Sequence, residues 1–220
     1  MKSLFTLVLL FLGVTFSFAQ NEQSPIVERE FAYNDWTLEN IRSDSSTNLR
    51  EFIIGKKLVM VVYFAPWCPN WKHDLAFVQS LYDKYKGNGF DVIAVGEYDP
   101  VDSMKTHLKD FKLTFPAVYE SQARTDKQKT LHYGYRKLTG DTRNWGSPWY
   151  LFLEPANIVK SGDVISQKAN VVNGELIKED AEKFIRAKLG LSAETKQIAV
   201  NDKEIEVCEP EKKATVLVKP

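Results

Sequence analysis

The apolar positions of this 220-residue chain fall into short unbroken runs and longer periodic ones. Residues 58–64 (Leu-Val-Met-Val-Val-Tyr-Phe) are unbroken and rich in β-branched side chains, the pattern of a strand buried on both faces. Residues 90–95 and 149–153 repeat that pattern. Between the first two runs the period changes. Trp71, Leu75, Val78, Tyr82 and Tyr85 recur at steps of three and four, which predicts a helix with one stripe facing a core. Pro69 suits its first position, where a missing N–H costs nothing, and Gly87-Asn88-Gly89 stops it. Val101, Met104, Leu108 and Phe111 predict a second helix, opened by Asp99 as cap and Pro100 in the first turn. A last helix is expected over 175–189, with Leu176, Ile177, Ala181, Phe184, Ile185 and Leu189 inward and Gly190 past its end.

Weaker signals predict a short strand in 31–38, a helical turn at 49–54, an extended piece at 115–119, a helix at 131–138 and a strand near 158–160. Short extended runs recur at 197–200, 204–208 and 214–218. Two strand–helix–strand units imply parallel pairing with right-handed crossovers, and the later adjacent strands imply an antiparallel edge. The fold class is therefore α/β, a mixed central sheet with helices on both faces.

Residues 1–19 read as a signal peptide: Lys2, an apolar stretch from Leu4 to Phe16, and a Ser17-Phe18-Ala19 cleavage site. That stretch is shorter than the ~20 residues of a span. The expected division is signal peptide 1–19, N-terminal extension 20–48, main domain 49–190 and C-terminal extension 191–220. The chain is expected to be exported, to a periplasm or beyond, with no stable membrane span. Lysine plus arginine equal aspartate plus glutamate at 29 each, so no basic excess points to nucleic acid. Only two cysteines are present, which excludes a disulfide scaffold.

Cys68 follows Ala65-Pro66-Trp67, where a buried strand hands over to a helix N-terminus. Only a thiolate attacks a disulfide, and a free thiol is only about 3% ionised at pH 7. The partial positive charge of a helix end favours the anion, and Lys72, one turn on, could add to it. The expectation is an exposed, anionic sulfur, flanked by Trp67 and Pro69. Cys208 could pair with it only if the tail folds back within about 7 Å. His73, His107 and His132 show no metal-ligand spacing and read as surface or helix residues; no metal or cofactor is implied.

The element order, Trp67-Cys68-Pro69 after the first strand, Ser147-Pro148 before the third, and Leu113-Thr114-Phe115-Pro116 together resemble the thioredoxin fold, most of all its TlpA-like extracytoplasmic members. The resemblance implies a cis Pro148 packed beside Cys68, with Ser147 and Pro148 lining a groove for an extended substrate. It also implies a proton-accepting acid at Asp74, where that group often carries Glu; a solvated helix-face carboxylate is the alternative. Two departures stand out. Trp71 occupies the place of the second cysteine of Cys-x-x-Cys, as a core aromatic or as a shield over the thiol that joins Trp67 and Pro69 in contacting the substrate, and Val62 that of a buried acid.

Without a second cysteine the chain cannot resolve its own mixed disulfide there. The leading expectation is a thiol–disulfide oxidoreductase working through Cys68 on protein thiols and disulfides, with the resolving thiol supplied by substrate or another thiol. The alternative is a degenerate binding module on the same fold. A thiol peroxidase ranks third, because Ala65 stands where redoxin-type peroxidases carry a threonine.

Overall fold

The computed structural model describes residues 22–191. The expected leader, the extended runs of 197–218 and Cys208 lie outside the described residues. In chain order the elements are β1 (Gln23–Ser24), β2 (Val27–Asn34), β3 (Thr37–Asn40), β4 (Ser46–Asn48), α1 (Leu49–Phe52), β5 (Leu58–Phe64), α2 (Pro69–Tyr85), β6 (Phe90–Gly96), α3 (Val101–Asp110), β7 (Ala117–Tyr119), α4 (Leu131–Leu138), β8 (Trp149–Leu153), β9 (Val164–Val172), β10 (Glu175–Leu176) and α5 (Lys178–Leu189).

An eight-stranded mixed sheet runs in the order β2-β9-β8-β5-β6-β7-β3-β4. β5 pairs in parallel with β6 and antiparallel with β8, so every one of its residues is buried. Successive side chains of a strand point to opposite faces. Leu58, Met60, Val62 and Phe64 enter one core with α2, α3 and α5, while Val59, Val61 and Tyr63 enter another with Leu49, Tyr33, Trp36, Tyr135 and Trp149. The helices therefore cover both faces, as an unbroken apolar strand demands. The fold is a thioredoxin-like α/β architecture.

Four details depart from the pattern-based expectation. Residues 27–48, set apart as an extension, supply three strands of the same sheet: β2 pairs with β9 at one edge, and β3 with β7 near the other. The strand expected near 158–160 is displaced to β9, after a 3-10 turn at Pro155–Asn157. β9 carries exposed Gln167 and Lys168 mid-strand, which broke its apolar signal. The last helix begins at Lys178 rather than Glu175, because Glu175 and Leu176 pair with β1 and Asp74 takes the Leu176 N–H. Asp99 does not cap α3: Pro100 is the cap residue, and the Asp99 carboxylate accepts from the Ser103 hydroxyl instead.

Candidate active site

Cys68 closes the turn out of β5. Its N–H donates to Ala65 O at 3.0 Å, and its carbonyl accepts the first α2 bond, from Lys72 N at 3.2 Å. It is the cap residue of α2, with Pro69 next, so its side chain stands at the positive helix end. The thiol donates to Ser147 O at 3.0 Å, and Ser147 Oγ accepts from Ala65 N at 2.9 Å. One loop residue thus holds both the turn and the sulfur. The Ser147–Pro148 peptide is cis. Cys68 is only 7% exposed, which corrects the expectation of an open sulfur: its thiol is taken up by Ser147 O and the residue packs into the core under α2.

That loop is braced from behind by charges that the sequence reading passed over. Arg136 and Asp141 are buried, with side chains 2% and 1% exposed, and joined at 2.9 Å. Arg143 bonds the same Asp141 oxygen at 2.8 Å and donates to Pro148 O at 2.9 Å. Burial opposes ionisation of Asp141, but hydrogen bonds from Arg143 and Arg136 prevail and hold its carboxyl below the usual range. Gly146, at φ +61°, passes so close to Arg136 that a Cβ would lie 1.6 Å from its Nε. The available signal was a charged Asp-Thr-Arg-Asn-Trp-Gly segment directly before Ser147-Pro148.

Around the opening, Pro69 is exposed and Trp67 is half-buried. The Trp67 ring meets Trp145 edge-on at 5.2 Å, and the Arg124 guanidinium lies 4.3 Å over its face. Trp71 is fully buried between Phe64 and His107, and its indole donates to His107 Nε2 at 2.9 Å. It is a core residue, which decides between its two readings. His107 is the helix residue of its two expectations, in α3, and is buried. Desolvation, then the nearby Lys72 charge, lowers it to about 4, so it is neutral at pH 7. Lys72 itself is exposed and shares a shallow pocket with Pro66, Trp67, Asp99 and His107. His132, a helix residue as one of its two expectations had it, is wholly buried in α4, stacked on Tyr63 and bonded through Nδ1 to the Tyr98 hydroxyl at 2.9 Å.

Asp74 is fully buried on the inner side of α2, not solvated. Its Oδ2 accepts from Tyr150 OH at 2.7 Å and Leu176 N at 2.8 Å. Burial is the main influence and raises its carboxyl, against the pull of those two bonds. Six residues, about 9 Å of helix rise, separate it from Cys68. The fold also brings His73 beside Asp74 and the distant Glu175: their ligand atoms lie within 4.8 Å of one another. A spacing search along the chain could not find this group, since Glu175 lies about 100 positions away.

Among curated proteins, the chain is 27% identical over 131 residues to the thiol-disulfide oxidoreductase ResA of Geobacillus kaustophilus, covering 60% of this chain and 63% of that one. It is 28% identical over 118 residues to the protein of that name from Oceanobacillus iheyensis, covering 52% and 61%. The matches thus span under two thirds of those relatives' length. Among solved structures, a thiol:disulfide interchange protein from Bacteroides sp. aligns at TM-score 0.53 and 16% identity, covering 77% of this chain and 95% of that one. A thioredoxin family protein from Chlorobium tepidum aligns at 0.50 and 18%, covering 74% and 98%. These two likenesses bear on the fold. The family model described as Redoxin matches residues 32–184, the whole stretch from β2 into α5, and the chain belongs to the redoxin family.

Proposed function

We propose that this chain is an exported thiol–disulfide oxidoreductase acting through the single nucleophile Cys68. The observation that carries the reading is the Cys68 thiol at the α2 N-terminus, 3.0 Å from the carbonyl that precedes cis Pro148. The Cys68 thiolate attacks one sulfur of a protein disulfide. That S–S bond breaks, the mixed disulfide forms, and the released thiolate takes up a proton. A second thiol, from the substrate or from another thiol compound, then attacks the mixed disulfide and frees Cys68. Trp71 offers no such thiol. An extended substrate would cross Trp67, Pro69 and the Ser147-Pro148 loop, and buried Trp71 takes no part in that contact. Asp74 could receive a proton only through a bridging group, and Lys72 serves the electrostatics of the outer pocket.

The test is acid-quenched intact-mass analysis after mixing with a model peptide disulfide. A half-peptide adduct on Cys68, absent from Cys68→Ser, supports the reading; a folded wild type that forms none removes it. A second reading, a binding module without turnover, is favoured by the 7% exposure of Cys68 and by the buried indole in the resolving position. It predicts that Cys68→Ser keeps partner binding and that no mixed disulfide accumulates.

A further inference from the structure

A three-residue group joining α2 to β10 is built like a ligand set. His73 Nδ1 stands 3.2 Å from Glu175 Oε2 and 3.5 Å from Asp74 Oδ1. The last contact falls outside hydrogen-bond geometry, and Asp74 Oδ1 is a buried oxygen with no hydrogen-bond partner. Its twin Oδ2 is fully used by Tyr150 and Leu176, which fixes the carboxylate with Oδ1 turned toward the imidazole. A buried carboxylate oxygen with no hydrogen bond, its nearest partner an imidazole nitrogen at 3.5 Å, is costly and has capacity for an occupant.

Charge and distance agree on what that occupant is. Asp74 and Glu175 are 0% and 5% exposed, and one imidazole faces both. Arg143 is spent on Asp141 and Glu22. Two buried carboxylates are thus left short of positive charge, which a dication supplies. Bonds of about 2.0–2.2 Å to nitrogen and oxygen in a tetrahedron place neighbouring ligand atoms roughly 3.3–3.5 Å apart; the two His73 separations are close to this, and all three ligand atoms lie within 4.8 Å of one another. His73 is half-exposed, leaving an open side for water as the fourth ligand.

We propose that His73 Nδ1, Asp74 Oδ1 and Glu175 Oε2 form a binding site for a zinc-class divalent cation, tying α2 to the β10 segment. The site is independent of the thiol chemistry. The test is calorimetric titration of the full-length Cys68→Ser/Cys208→Ser chain with zinc chloride at pH 7, a background that removes thiolate ligands. One equivalent should bind in the micromolar range, raise the melting temperature, and be weakened at least tenfold, on the order of known ligand-loss effects, by His73→Ala and by Glu175→Gln. Cobalt(II) should give visible absorption bands in the background protein and none in His73→Ala. No saturable binding below about 1 mM, or binding indifferent to His73→Ala, would overturn the site and leave His73 as a plain neighbour of its two acids. Circular dichroism of both variants separates lost ligands from lost fold.

Discussion

On the cis-proline side of Cys68, one buried carboxylate, Asp141, is gripped by two guanidiniums; on the α2 side, two buried carboxylates, Asp74 and Glu175, share one imidazole. In the first group Arg136 and Asp141 are shut off from water; in the second the two acids are buried while His73 keeps one side open to it. In the first, Glu22 also pairs with Arg143, so two carboxylates match two guanidiniums, burial is offset and the Asp141 carboxyl is pushed down. In the second, burial prevails, and the Asp74 and Glu175 carboxyls are pushed up. Matched charge suits a brace, and the Arg143 bond to Pro148 O gives the brace its load. Unmatched charge suits a place where a proton or a cation comes and goes.

The comparison can be broken most forcefully at Asp141. Asp141→Ala strands buried Arg136 and should cost about 3–5 kcal/mol, read as a lower urea midpoint at unchanged slope. A loss under 1 kcal/mol would falsify the brace. Next comes Trp71→Ala, which empties a fully buried site beside His107 and should cost about 3–5 kcal/mol as well. Because the indole is core, alkylation of Cys68 in the surviving folded fraction should change little.

Asp74→Asn sharpens the contrast by sign. A carboxyl raised in the folded state makes stability fall as pH climbs past its ordinary value of 3.8, so the asparagine variant should gain on wild type between pH 4 and 7. Asp141 is lowered, so its contribution is present above 3.8 and lost as pH drops through the folded value; the penalty of Asp141→Asn should shrink on acidification. Parallel pH profiles for the two variants would contradict the division. At the small end stands His107. Its folded value of about 4 lies below the ordinary 6.5, so the stability it contributes is whole above pH 6.5 and lost toward pH 4. His107→Gln should flatten that window in melts recorded from pH 7 to 4.

What could be read from the chain alone was whatever is local. The β5–Cys68–α2 unit is 28 consecutive residues whose apolar period, proline and glycine stop act on neighbouring backbone, so strand, turn and helix were legible without a fold. The same holds for β6, β8 and α4. The cis state of Pro148 was legible only through family resemblance, since spacing says nothing about an X-Pro bond.

Tertiary structure decided everything that rests on distant partners. Ser147 meets Cys68 across 79 positions, Asp74 meets Leu176 across 102, and Trp71 meets His107 across 36. Whether a carboxylate or imidazole is buried depends on which elements pack over it, and no periodicity in a polar residue's own segment records that. For this reason the sequence leaves Asp74 open between acceptor and solvated acid, leaves His107 and His132 open between surface and helix positions without their burial, and shows the segment before Pro148 only as a loop. The chain wrote the strand, turn and helix around Cys68 locally; the environment that covers and braces that residue exists only once strands far apart in sequence are hydrogen-bonded side by side.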